Sequence, residues 1–200
     1  MRPRKNLKTL LRAFATVRKE YGQPISLVIV NGLVQDAPAP DLLQTWPDEL
    51  GPLAVAPGRR VQCASNVTIT GPIDTDELVG FYSLSEMVVY PSLAEGFGLP
   101  PLEAMACGAP VVASNATALP EVLGDAAMLI DPLDYHGFSR AMLRILRESD
   151  LALDLRAKGA AHARRYSAER AAMETMDVYA KTMATPARGA LRQHASDRCR

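Results

Sequence analysis

Apolar residues Leu7, Leu10, Leu11, Phe14, Val17 and Tyr21 recur at the spacing that lines one face of a helix, which predicts a helix from Asn6 to about Tyr21. Asn6 is expected to cap it. Short runs rich in apolar and β-branched residues predict strands, the first of them buried and that of Val88 to Tyr90 covered on both faces. These are Ser26 to Val30, Val67 to Thr70, Val88 to Tyr90, Pro110 to Ala113 and Ala127 to Ile130. Glycine and proline close most of them: Asn31-Gly32, Gly71-Pro72, Pro91 and Asp131-Pro132. Helical segments fall between them, from Glu77 to about Ser83, from Pro100 to Ala106 with Gly108 as the stop, and a short one at Pro120-Glu121-Val122. From Asp134 the chain reads as helical. Phe138, Met142 and Ile145 mark one stripe, Leu151 and Leu155 a second, and Met173, Met176, Ala180 and Met183 a third. A methionine stripe fits a core or an interface with another domain. Residues 33–60 are a long proline-rich connection with a short helix expected near Pro40 to Thr45. Residues 184–200 carry four arginines against Asp197 and read as a disordered basic tail.

About five strands alternating with helices predict an α/β fold, one doubly wound parallel sheet of Rossmann-like type over residues 1–183. Two hundred residues suit one such domain, and 48% hydrophobic content is enough to bury a core. The 22 basic residues balance 22 acidic ones, which gives no argument for nucleic acid or a membrane surface. No apolar run of roughly 18 residues exists, so no transmembrane segment is expected. The start, MRPRKNLKTLL, is basic and amphipathic, unlike a secretory signal. Cys63, Cys107 and Cys199 are odd in number and scattered, which fits a reducing cytoplasm better than disulfides or zinc. His136, His162 and His194 show no ligand spacing.

The chemistry concentrates in VVYPSLAEGFGLPPLEAMACGAPVV, residues 88–112. A loop that leaves a parallel strand and enters a helix is where open α/β sheets bind ligands. A helix start favours phosphate through its free N–H groups and partial positive charge. Gly96 and Gly98, flanking Phe97, let the backbone approach a ligand because neither carries a Cβ. Glu95 on the loop and Glu103 in the expected first turn of the helix both face this crevice. Carboxylates repel phosphate, so they serve better as acceptors for hydroxyls, and two of them around a phosphate suggest a sugar and a ribose. Another reading also fits: Glu95 as a solvated loop residue, Glu103 as a favourable charge at a helix N-terminus, and the glycines as turn residues. Asp74-Thr75-Asp76 has the D-x-D form of some metal-dependent transferases, but N-capping of the following helix explains it without a metal.

Glu95-Gly96-Phe97-Gly98-Leu99-Pro100-Pro101-Leu102-Glu103 resembles the E-x7-E segment of the retaining GT-B glycosyltransferases, group 1 or family 4. The likeness continues through EAMACGAPVVAS and LPEVLGDAAMLIDP, and upstream through Arg4-Lys5-Asn6-Leu7 and SLVIVNG, covering about residues 4 to 182. The resemblance implies the C-terminal, donor-binding half of such an enzyme. The donor would be a nucleoside-diphosphate sugar, UDP- or GDP-linked, with no cofactor and no metal. It makes Glu95 and Lys5 the catalytic pair, with Lys5 on the diphosphate and Glu95 on the sugar hydroxyls. Glu103 would take the ribose, with Gly96, Phe97, Gly98 and Leu99 around the phosphates and Gly71, Pro72 and Ile73 near the base. The family often has several hydroxyl residues at 114–118; here Ser114 and Thr117 remain, beside Ala116 and Ala118. The family's first strand, ending in Gly-Arg, has no counterpart before Arg4, and Arg2 lies too close to take the arginine's role. A truncated gene product and half of a split enzyme both fit. The chain alone is therefore expected to bind nucleotide sugar weakly or not at all and to transfer nothing, a separate N-terminal acceptor-binding domain being the partner if the enzyme is split. A non-catalytic nucleotide-binding or interaction module is the alternative, and a related epimerase or phosphorylase a third reading.

Overall fold

The computed structural model describes residues 3–30, 46–50, 60–63, 66–70 and 72–184. Pro3–Lys5 make a single 3-10 turn that leads into helix α1, Leu7–Tyr21. The predicted stripe is the face that packs: Leu10, Leu11, Phe14 and Val17 are buried. Asn6 differs from its expected role. It stands at the capping position but in the left-handed region, φ 52, and its side chain does not cap the helix. Its Nδ2 instead donates to the carbonyls of Pro91 at 3.0 Å and Pro132 at 2.6 Å, while Thr9 Oγ1 donates to its Oδ1 at 2.9 Å. The amide thus fastens the start of α1 to residues just beyond two strands far along the chain.

All five predicted strands are present, together with one that was not predicted. β1 (Leu27–Val30), β2 (Arg60–Cys63) and β3 (Val67–Thr70) form one ladder in the order β1-β3-β2. β1 pairs with β3 in parallel, and β2 pairs with β3 antiparallel. β4 (Val88–Tyr90), β5 (Val111–Ser114) and β6 (Met128–Ile130) form a second ladder, parallel throughout. The expected parallel sheet is therefore described as two three-stranded ladders, one of them mixed. β2 reads Arg-Val-Gln-Cys, a polar pattern too short to mark a buried strand. Gly71, the expected helix near 40–45 and residues 185–200 of the expected tail lie outside the described residues.

Helices α2 (Thr75–Leu84), α3 (Leu99–Ala106) and α4 (Leu119–Leu123) follow β3, β4 and β5 in turn, and α5 (Tyr135–Arg147) and α6 (Ser149–Ala163) follow β6. Asp74 caps α2, its Oδ1 accepting from the Glu77 N–H at 2.8 Å, as N-capping predicts. Asp134 does the same for α5 through the Gly137 N–H at 2.8 Å.

Two apolar clusters lie on opposite faces of the second ladder. Val89, Val112, Met128 and Ile130 join Leu11, Phe14, Ile29, Ile69, Phe138 and Leu155 in the first. Val88, Tyr90, Val111, Ala113 and Leu129 join Leu102, Met105, Leu119 and Leu123 in the second. Successive strand residues thus alternate between the two faces, as the pleat requires. β1 is not the buried strand predicted. Ile29 is buried, but Val28 and Val30 are 39% and 44% exposed, because β1 packs on one side alone.

Met1–Arg164 form one compact unit, and Arg165–Arg200 a second. Within the second, α7 spans Ala168–Ala184. Its methionine stripe is not core: Met173, Met176 and Met183 are all exposed.

Candidate active site

The loop after β4 carries most of the predicted site residues, and its backbone is held from three directions. The Leu93 N–H donates to the Arg4 carbonyl at 2.7 Å, tying the loop to the turn before α1. The buried Ser114 hydroxyl, at the end of β5, donates to the Ser92 carbonyl. Thr117 Oγ1 accepts from the Glu95 N–H at 2.9 Å and donates to the Glu95 carbonyl at 3.0 Å. At the loop's end Gly98 is buried with φ 103, a conformation that disfavours any side chain. A Cβ there would come within 2.5 Å of Leu119 Cδ2, so a side chain at this position would also displace the end of that buried leucine. At Gly96 an added Cβ would meet no protein atom within 4 Å, so the space beside it is open.

This scaffold brings together two residues 90 positions apart. Lys5 Nζ lies 2.6 Å from Glu95 Oε1 and donates to the Tyr90 hydroxyl at 2.5 Å. The Tyr90 hydroxyl in turn donates to the same Glu95 oxygen at 3.0 Å. Lys5 Nζ also stands 4.6 Å from the centre of the Tyr90 ring, within cation–π range. Glu95's side chain is 10% accessible and that of Lys5 38%. Burial draws the Glu95 carboxyl upward, but the Lys5 ammonium bonded to it holds it below the usual carboxylate range. Burial likewise pulls Lys5 down, and its bonds to Glu95 and Tyr90 more than offset this, leaving it raised. Burial, helped by Glu95, pushes the Tyr90 phenol up against the opposing pull of Lys5. At neutral pH the trio is therefore an ammonium, a carboxylate and a neutral phenol. Lys5 spends two of its three donors here and keeps a third.

Glu103 sits apart from that trio. α3 begins at Leu99, which puts Glu103 in the second turn, not the first as expected, and away from the strongest part of the helix dipole. It is exposed, and its Oε2 accepts from the Tyr82 hydroxyl of α2 at 3.4 Å. Burial first, and then the Glu103 charge, push the Tyr82 phenol far up, so it stays a donor. The helix start is also poorer in donors than a generic one. Pro100 and Pro101 have no N–H, so of the first three helical positions only Leu99 can offer one to an anion. Phe97 and Leu99 expose apolar side chains beside this loop. Pro72 and Ile73 occupy the turn between β3 and α2. Asp74 is engaged in capping, and no cluster able to hold a metal occurs among the described residues.

Tyr90, Tyr82 and Thr117 were not singled out as site residues from sequence. A tyrosine as the last residue of a buried strand, just before proline, was the available signal for Tyr90. Its ring packs with the core while its hydroxyl reaches the carboxyl end of the sheet.

Helices on both faces of a parallel ladder, with charged groups gathered where the strands end, define a Rossmann-like α/β domain. The family model for glycosyl transferases group 1 matches residues 1–162, and the chain belongs to that family. The O-antigen chain mannosyltransferase B of Escherichia coli is 34% identical over 179 residues, which are 90% of this chain and 43% of that protein. The MMP alpha-(1->4)-mannosyltransferase of Mycolicibacterium hassiacum is 33% identical over 91% of this chain and 41% of that protein. Among solved structures, the sucrose-phosphate synthase of Thermosynechococcus elongatus superposes with a TM-score of 0.70 at 27% identity, over 91% of this chain and 43% of the other. The chain thus spans less than half the length of these relatives, and its fold is the Rossmann-like α/β fold expected for the C-terminal half of a GT-B enzyme.

Proposed function

We propose that this chain is the donor-binding half of a retaining family 4 hexosyltransferase, transferring sugar from a nucleoside diphosphate to an acceptor hydroxyl. The Lys5–Glu95–Tyr90 trio carries the reading, because an ammonium and a carboxylate held together where parallel strands end suit the two ends of one donor. Lys5 turns its remaining N–H toward the diphosphate, and loop N–H groups from Gly96 to Leu99 share the charge. Stabilising the departing diphosphate is the main catalytic task, and preorganised donors perform it electrostatically. Glu95 accepts from the sugar hydroxyls, and Glu103 from the ribose hydroxyls. Phe97, with its exposed ring, lies against the donor, and Gly71, Pro72 and Ile73 border the base. No metal is required, because Lys5 and the loop amides supply the positive potential. The relatives named as mannosyltransferases make mannose the first sugar to test. The acceptor is held by a second, N-terminal domain, so this chain alone is expected to transfer no sugar.

Calorimetric titration with UDP, GDP and ADP, on wild type and Glu103→Ala, tests the assignment. Saturable binding of one nucleotide, weakened about tenfold or more in the variant, is expected for a lost pair of hydrogen bonds. Equal affinity in the two proteins would remove Glu103 from the ribose site. Robust sugar transfer by the purified chain would overturn the need for a second domain.

A further inference from the structure

Thr117 has a backbone conformation that a β-branched residue rarely adopts, φ 52, on an exposed loop beyond β5. Such strain persists only where neighbouring structure fixes it, and it tends to collect at functional sites. Here the neighbouring structure is the Glu95 backbone. One hydroxyl answers both its N–H and its carbonyl, 22 residues away, in the manner of a strand partner. Two residues on, the buried Leu119 side chain lies against the face of Gly98 where a Cβ would clash. The 117–119 segment therefore grips the loop at both ends of Glu95-Gly96-Phe97-Gly98.

We infer that Thr117 is a positioning residue for Glu95: its hydroxyl fixes the Glu95 backbone so that the carboxylate meets Lys5 and, on the function proposed above, the donor sugar. The left-handed backbone aims the hydroxyl at the loop. A hydroxyl is the smallest side-chain group that both accepts and donates, which the neighbouring Ala116 and Ala118 cannot do. The groups facing the Glu95 carboxylate are the Lys5 ammonium, the Ser92 hydroxyl and the Tyr90 phenol, so its titration reports whether it remains among them.

The test follows the Glu95 carboxyl by carbon NMR through a pH titration of the full chain, in wild type and three variants. Thr117→Val removes the hydroxyl and keeps the shape. Thr117→Gly also removes it but relieves the strain at φ 52. Thr117→Ser keeps the hydroxyl. The Glu95 midpoint is expected to rise toward ordinary carboxylates in the valine and glycine variants and to stay at the wild-type value in the serine variant. A wild-type midpoint in either hydroxyl-free variant overturns the inference, and so does a shifted midpoint in the serine variant. A second readout bears on the proposed donor: the ratio of affinities for GDP-mannose over GDP, and for UDP-glucose over UDP. It should fall about tenfold in Thr117→Val while the affinity for the plain nucleotide changes less than about twofold. If wild type binds none of these four ligands, the donor reading fails while the titration still decides whether Thr117 places Glu95.

Discussion

The two ladders of this domain differ in how they are covered, and the difference locates the site. The second, β4-β5-β6, has apolar clusters on both faces, and all four residues of β5 are buried. The first, β1-β3-β2, packs Ile29, Val67 and Ile69 into the shared cluster but leaves Val28 and Val30 exposed on the other face of β1. A strand buried on both faces cannot shift its register without moving a packed layer, so the loop leaving it is held firmly. The Glu95 loop leaves β4, whose three residues are half-buried, and is tied to the end of the fully buried β5 through the Ser114 hydroxyl. Lys5 comes from the turn before α1, whose buried face lies in the cluster common to both ladders. The trio depends on that common cluster for its alignment, since carboxylate and ammonium stand 90 residues apart in the chain.

The largest expected effect is at the cluster joining the two ladders. Phe138 is fully buried there, among residues from α1, β1, β3 and β5. Phe138→Ala should cost about 3–5 kcal/mol in a urea-unfolding experiment, as large-to-small core changes do. It should also loosen Lys5 relative to Glu95, though neither is touched. A cost of only about 1 kcal/mol, typical of an average substitution, would mean that the ladders are not joined through this cluster.

An intermediate effect is expected at Lys5, and its sign follows from the two shifts. Glu95 is lowered from 4.5, so its contribution is present above the ordinary carboxylate range and is lost as pH falls through its depressed midpoint. Lys5 is raised from 10.5, so its contribution is present below that value and is lost as pH rises through its elevated midpoint. The pair supports the fold most across the neutral range between them. Because Lys5 is partly exposed, solvent screens the pair and the effect on stability is modest. In Lys5→Met the burial of Glu95 is opposed only by weaker partners, so its midpoint should rise. The acid-side loss of stability should then flatten or reverse between about pH 3 and 7 in urea-unfolding midpoints. An unchanged acid limb would mean that the pair is not formed in solution.

The same asymmetry governs how much could be read from the residues. The second ladder was legible because each strand is a plain apolar run closed by proline or a polar loop, and because two glycines and two prolines frame its loop. The first was legible only in part. β2 carries arginine and glutamine, and its antiparallel pairing comes from tertiary contact with β3. At the site, Glu95 and its glycines stood out by residue type and Lys5 by resemblance, while the ion pair between Lys5 and Glu95 is disclosed only by the fold. Asn6 was misread because its amide is engaged by Pro91 and Pro132, which no local pattern discloses. Tyr90, Tyr82 and Thr117 were missed for a similar reason. Each acts through a hydroxyl whose partner is fixed only by the fold: 85 residues away for Tyr90, 21 for Tyr82 and 22 for Thr117.

The smallest expected effect sharpens the comparison from the other side. Val30 is 44% exposed at the end of β1, the outer strand of its ladder. Threonine is nearly the same shape, has a good β-propensity and places its hydroxyl in water at an exposed position. Val30→Thr should therefore change the unfolding free energy by no more than about 0.5 kcal/mol, the usual range for surface substitutions. A value well above this, with an unchanged monomer mass, would mean that the outer face of β1 is covered in solution. The two ladders would then be equally buried, and the contrast in burial that places the site on the second ladder would disappear.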